Sequence, residues 1–233
     1  MFRVGGKQPE LWLPTTGTTR KLPDFTQQEG TTTVPLNLDS YESVFVVFAE
    51  PVKAGKSPKV GSVTNYPSPA LLTEISGPWN VSFDQKMRGP VNPVVMPRLQ
   101  PWNEMPNDSV KYYSGTAVYT TGFDLVKLPA NERILLDLGK LSAMGKVYVN
   151  GQYAGGVWTT PYELDITQWV KEGRNDLRVE VVNTWVNRLI GDSRLPASQR
   201  RTWTVVNPWR PDSPLQTSGL LGPVRVTAVA YEQ

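Results

Sequence analysis

From Trp79 onward the apolar residues of this sequence recur at every second position: Trp79, Val81 and Phe83; Ile134, Leu136 and Leu138; Leu177, Val179 and Val181; Val224, Val226 and Ala228. Side chains two apart share a face only on an extended strand, so each set predicts a strand with one face on a core and the other toward water. A helical bundle is excluded. Between two such runs, KVYVNGQYAGGVW carries Asn150-Gly151, a pair that tolerates the positive φ needed at both central positions of a type I′ turn, and predicts a hairpin. The pattern predicts eight strands, over residues 78–83, 112–125, 132–139, 145–149, 152–158, 162–166, 175–185 and 222–231. Short strands with little helical periodicity predict an all-β, eight-stranded jelly-roll sandwich.

Ahead of this region, residues 1–50 read as short strands split by turn chemistry: ELWLP, TTGTTR with Gly17 at a turn, TTTVPLNL and SVFVVF. Phe2-Arg3-Val4 reads as a strand already in progress, so residues 1–50 are expected to be the tail of a small β domain. Residues 51–76 turn to Pro, Gly, Ser and Lys with no sustained period and are expected to be a linker. The sandwich is then expected over 77–233.

Two connections within the sandwich are long, about 28 residues over 84–111 and about 36 over 186–221. Structureless loops of that size are uncommon in compact domains unless they serve a surface. Because successive connections of strands that cross the domain alternate between its ends, 84–111, 140–144, 159–161 and 186–221 are expected at one end.

The sequence lacks both cysteine and histidine, which removes disulfides, thiolate nucleophiles, zinc-thiolate sites and the commonest general base together. Catalysis would rest on carboxylates, Lys or Tyr. Glu163 and Asp165 share a strand face in YELDI, but nothing nearby suggests a general acid, so no catalytic residue is assigned. Gly155-Gly156 lacks the Lys-Ser/Thr ending of a phosphate loop and permits a bulge or close packing instead; no cofactor is expected, and no DxDxD run marks a metal. The 24 basic residues are scattered against 21 acidic ones, with no stripe for nucleic acid. No apolar run approaches the roughly 20 residues of a membrane helix, and Met1-Phe2-Arg3-Val4 leads into polar sequence, so neither a membrane partner nor an export signal is expected.

PWNVSF, YYSGTAVYTTGFDL and LDLGKLSAMGKVYVNGQYAGGVWTTPYELDITQWVKEGRNDLRVEVVNTW resemble the galactose-binding-like, sugar-binding sandwich of glycoside hydrolase family 2 and its relatives. NRLIGD, RRTWTVVNPW and SPLQTSGLLGPVRV are similar to the C-terminal sandwich of family 106 type α-L-rhamnosidases and related bacterial enzymes. PELWLPTTGTTRKLPDF and SYESVFVVF are similar to the small β domain that follows the catalytic barrel of such proteins. The resemblance implies a barrel upstream of Met1 carrying the catalytic acids, and a parent that works in the periplasm or outside the cell. It carries no catalytic residue over to this chain.

Eight tryptophans suit either a core or a sugar site, where a ring packs on the apolar face of a pyranose. Trp79 and Trp185 fall in phase with strand residues and are expected in the core. Trp102, Trp203 and Trp209 lie in the long connections, where they either form a binding or interface surface or fold back over the sandwich. NRLIGDSR sets Arg188, Asp192 and Arg194 just past a strand end, either to hydrogen-bond sugar hydroxyls or to pair and hold the loop. The candidate carbohydrate-binding or domain-interface residues are therefore Trp102, Trp158, Arg188, Asp192, Arg201, Trp203 and Trp209. The expected function is a non-catalytic accessory module whose partner is a glycan or a catalytic barrel; the alternative is an independent carbohydrate-binding module.

Overall fold

A computed structural model of the chain describes residues 1–39, 42–52 and 64–231. The chain divides into two compact units, one of Met1–Ala70, Asn131–Arg133 and Val229–Gln233, the other of Leu71–Ala130 and Ile134–Ala228.

In the smaller unit, β1 (Glu10–Leu13) pairs with β2 (Thr18–Lys21) and β5 (Phe45–Val47), and β3 (Thr26–Gln28) forms a hairpin with β4 (Thr31–Thr33). The β3–β4 turn places Glu29 and Gly30 both at positive φ, a conformation glycine adopts without strain. Leu11, Leu22, Phe25 and Val34 are buried at its centre, with Phe2 and Phe48 packed ring to ring 5.2 Å apart. Phe2, expected in a strand, makes a single bridge to Thr32. Asn65 is buried: its amide donates to the Asp24 and Pro35 carbonyls, and its side-chain oxygen accepts from the Asp24 amide.

The larger unit contains β6 (Ala70–Glu74), β7 (Trp79–Phe83), β8 (Val94–Met96), β9 (Thr116–Leu125), β10 (Arg133–Asp137), β11 (Lys140–Ser142), β12 (Met144–Val149), β13 (Gln152–Val157), β14 (Glu163–Asp165), β15 (Gly173–Val182), β16 (Gly219–Gly222) and β17 (Arg225–Val229). A six-stranded sheet in the order β13-β12-β15-β9-β7-β8 and a four-stranded sheet in the order β14-β10-β17-β6 provide the two layers of the all-β sandwich, with β11-β16 as a short extra ladder. Each expected strand has a counterpart here. β6, β8, β11 and β16 are additional and short; β6 lies in the stretch expected as linker, of which 53–63 fall outside the described residues.

The alternating residues face the core as their period requires. Trp79 and Val81 from β7, Tyr119 from β9, Val147 and Val149 from β12, and Val179 and Val181 from β15 are fully buried. They pack in one cluster with Ile134, Leu136, Ile166 and Val226 of the other layer. Burial of an aliphatic side chain of this size contributes roughly 1.5–3 kcal/mol. The Asn150-Gly151 hairpin turn is present with both residues at positive φ. Ala154-Gly155 forms a bulge, where two residues oppose the single step from Val147 to Tyr148.

Neither long connection is structureless. The first holds two 3-10 turns, β8 and the helix α1 (Asp108–Lys111); the second holds α2 (Val186–Ser193), a 3-10 turn and the start of β16. No helix among the described residues is long and apolar enough to cross a membrane.

Candidate functional site

Strand register decides which segments share an end of the sandwich. Phe83 pairs with Ala117, Thr116 with Val182, Val182 with Met144, and Gly145 with Val157. The segments that follow β7, β13 and β15, and those that precede β9 and β12, therefore emerge together. The two long connections then interlock. The Trp102 amide donates to the Ser218 carbonyl at 3.0 Å, and the Ser218 amide to Asn103 Oδ1 at 3.3 Å. Arg188 Nη2 donates to the Met87 carbonyl at 3.2 Å, and Arg88 reaches the Gln199 carbonyl.

The buried side of α2 organises the second connection. Asp192 Oδ2 accepts from the Arg201 amide, the Thr202 amide and the Thr202 hydroxyl, all at 2.8 Å. Its Oδ1 faces two guanidinium groups, Arg88 Nη1 at 3.8 Å and Arg188 Nη1 at 3.9 Å. Burial pulls the Asp192 carboxyl upward, but the hydrogen bonds from Thr202 and Arg201 and the charge of Arg188 outweigh it and hold the group below the usual range. Burial lowers the Arg188 guanidinium from its ordinary value, and Asp192 opposes that shift. One turn earlier, Asn187 exchanges two hydrogen bonds with Gln216, its amide to the carbonyl at 2.7 Å and the Gln216 amide to its Oδ1 at 2.8 Å. These groups hold the loop. They are too buried to meet a sugar directly, so of the two roles expected for Arg188 and Asp192 the geometry fits the one in which they pair and hold the loop.

The tryptophans divide differently from their expected roles. Trp102 is 0% exposed. Its ring stacks on Tyr119 at 6.3 Å and meets Phe83 and Tyr113 edge-on at 5.4 and 5.6 Å, and its indole N–H donates to the Tyr119 hydroxyl. A Cβ at Gly219 would lie 2.7 Å from the Trp102 indole nitrogen, so glycine is required where the chain crosses the ring. Trp102 therefore closes the core from the loop side and offers no surface, because the 3-10 turn of Trp102–Glu104 tucks it inward. Trp185 is corrected in the opposite sense, being 58% exposed. β15 ends at Val182, Asn183 ties the chain to the Tyr113 carbonyl and the Gly115 amide, and α2 starts at Val186, so strand parity no longer governs residue 185.

Trp158 and Trp203 are exposed, at 57% and 81%, while Trp209 is half-buried. Arg201 is exposed, but only its backbone joins the cluster. Met144, Val205 and Val206 add exposed apolar surface to these connections. What the loop-bearing end offers is thus exposed aromatic and aliphatic side chains above buried ionic and hydrogen-bonding groups. Sequence reasoning missed Arg88, because its role exists only through tertiary contact across the two connections; its backbone at φ 64 closes the 3-10 turn Gln85–Met87. It also missed that Asp137 lies opposite Glu163 on the neighbouring strand. Burial, followed by the charges of Asp137 and Asp165, pushes the Glu163 carboxyl up to about 7. Among the described residues no group of three or more acidic side chains is arranged to hold a metal ion.

The family model described as glycosyl hydrolases family 2, sugar binding domain, matches residues 72–207. The structure of a rhamnosidase from Novosphingobium sp. PP1Y is similar over 97% of this chain, with a TM-score of 0.88 and 38% identity. A protein of Formosa agariphila described as a putative beta-glucuronidase is 34% identical over 193 residues, 72% of this chain. This chain spans only 21% of that rhamnosidase and 16% of the Formosa protein.

Proposed function

The chain belongs to the family of sugar binding domains of family 2 glycosyl hydrolases, and from that premise we propose that it is a non-catalytic accessory module of a rhamnosidase-like glycoside hydrolase. Its loop-bearing end, with exposed Trp158 and Trp203, packs on a catalytic domain outside this sequence. The observation that carries this reading is the match of nearly the whole chain, in fold and in sequence, to a fifth of a rhamnosidase. The chemistry agrees. The chain has no histidine or cysteine, Arg-paired Asp192 is buried, and β-strand Glu163 is half-buried. Exposed Trp158, Trp203, Val205 and Val206 suit a partner domain better than bulk water.

The test is a chimera in which this chain replaces the matching segment of the Novosphingobium rhamnosidase. Release of p-nitrophenol from p-nitrophenyl α-L-rhamnoside should be retained by the chimera and lost when the segment is deleted. Hydrolysis of that substrate by this chain alone, or a chimera no more active than the deletion, would overturn the proposal. A chimera that is active, and weakened by Trp203→Ala, places the contact at the loop-bearing end.

A further inference from the structure

The loop-bearing end leaves unexplained the outward face of the six-stranded sheet, which carries a groove of about 580 Å³ far from any core role. Its floor is a single cross-strand row. Asn80 pairs with Thr120, Thr120 with Arg178, and Arg178 with Tyr148, one residue from each of four neighbouring strands, and Tyr153 stands opposite Tyr148 just beyond the lining. At the spacing of paired strands these four residues run about 14 Å, long enough for more than one sugar ring.

Glycines stand beside the row on the same face of the sheet. A Cβ on Gly122 would lie 2.2 Å from the Arg174 guanidinium, so that guanidinium rests where a side chain at position 122 would otherwise stand. Gly77 and Gly151 border the same depression.

The chemistry of the lining is specific. Arg178 lies over the Tyr148 ring, 3.8 Å from its centroid, and is paired with Glu180 at 3.2 Å; Tyr148 in turn leans on Tyr153 at 5.3 Å. Arg174 is paired with Asp124 at 3.4 Å. With both guanidinium groups neutralised by neighbours, the carboxylate between them along β15, Asp176, makes no side-chain hydrogen bond or ion pair among the described residues. A free carboxylate accepts two hydroxyl hydrogen bonds and repels an acidic sugar. Forked guanidinium donors, the Asn80 amide and the Thr120 hydroxyl complement it, and Tyr153 offers an exposed ring to an apolar sugar face. The row holds no aliphatic side chain, exposed Val95 standing outside it opposite Asn80, whereas the centre of a protein interface is mainly apolar.

We propose that this groove on the outer sheet face, built from Asn80, Thr120, Gly122, Tyr148, Asp176 and Arg178, binds a neutral oligosaccharide. The site is separate from the loop-bearing end and does not depend on the accessory role proposed above. Isothermal titration of the 233-residue chain with rhamnan, xylan, mannan and β-1,3-glucan hexasaccharides, with trigalacturonate as the acidic probe, tests it. At least one neutral hexasaccharide should bind saturably and more tightly than trigalacturonate. Gly122→Leu, which fills the depression, and Asp176→Ala, which removes the free acceptor, should each weaken that binding tenfold or more, while Trp203→Ala leaves it unchanged. Should Gly122→Leu fail to fold, Asp176→Ala alone decides. No saturable binding to any neutral probe, tighter binding of trigalacturonate, or loss of binding in Trp203→Ala with both groove variants intact would each overturn the proposal. The rhamnosidase chimera reports on the accessory role through a different surface, so the two readings fail separately.

Discussion

Asn150 and Gly151 show how far one pair of residues can commit a chain. Both adopt positive φ, and Asn150 adds hydrogen bonds from its amide to the Trp169 carbonyl and Asn175 Oδ1, at 2.7 and 2.9 Å. Gly151→Val should therefore cost on the order of 1–2 kcal/mol, seen as a lowered denaturation midpoint; an unchanged midpoint would contradict the turn assignment. Two tryptophans from the same connections should part company in the same experiment. Trp102→Ala opens a cavity beneath three aromatic neighbours and should cost roughly 3–5 kcal/mol, whereas Trp203→Ala should move stability by less than about 0.5 kcal/mol. Glu163 carries a pH dependence whose sign follows from its raised value. The unfolded carboxyl ionises near 4.5 and the folded one near 7, so the folded state holds a proton that the unfolded state has already lost. Its contribution is complete below pH 4.5 and is lost as pH rises through 7. Glu163→Gln should flatten the stability profile across that window, and a slope unchanged by the substitution would mean the proton belongs to another group.

At the scale of elements, the two long connections behave as one structure because α2 supplies buried groups to both. Asp192 fixes the backbone at Arg201 and Thr202 and faces Arg88 from the other connection. Asp192→Ala strips three hydrogen bonds and leaves two guanidinium groups without their carboxylate. Tryptic cleavage after Arg200 and Arg201 should then accelerate several-fold relative to the parent chain, read from a digestion time course. An equal rate would show that the loop is held by other contacts. Parity predicted correctly that these connections share an end, since it needs only that strands cross the domain. It could not say which residues turn inward, because a 3-10 turn or a helix rotates side chains by its own period rather than by two. That is why Trp102 lies in the core and Trp185 does not.

At the scale of the whole molecule, the central strands β9 and β15 pair over their full length, Thr116–Leu125 with Gly173–Val182, and contribute core residues throughout. Among the described residues the smaller unit has four buried apolar side chains at its centre. Amide hydrogen exchange should accordingly be slowest in β9 and β15 and faster in β1 to β5, with β8 and β13, at the sheet edges, exchanging before their neighbours; protection in β1 equal to that in β15 would contradict this ordering. The strands, the hairpin and the two-layer class were legible because burial imposes a period of two that each strand displays by itself. The short strands β8, β11 and β16 were not, since three or four residues carry too little periodicity and are held by pairing with distant segments. The groove illustrates the remaining difference. Its asparagine, threonine, arginine and tyrosine stand on separate strands and mean nothing in sequence until register sets them in one row. Sequence by itself therefore determined the layers, their inward faces and the turn chemistry between them, all of which depend on near neighbours along the chain. Only the tertiary structure decided which loop tryptophans are core and which are surface, which carboxylate pairs with which guanidinium, and where an open face remains, because those outcomes depend on residues brought together across a hundred positions of chain.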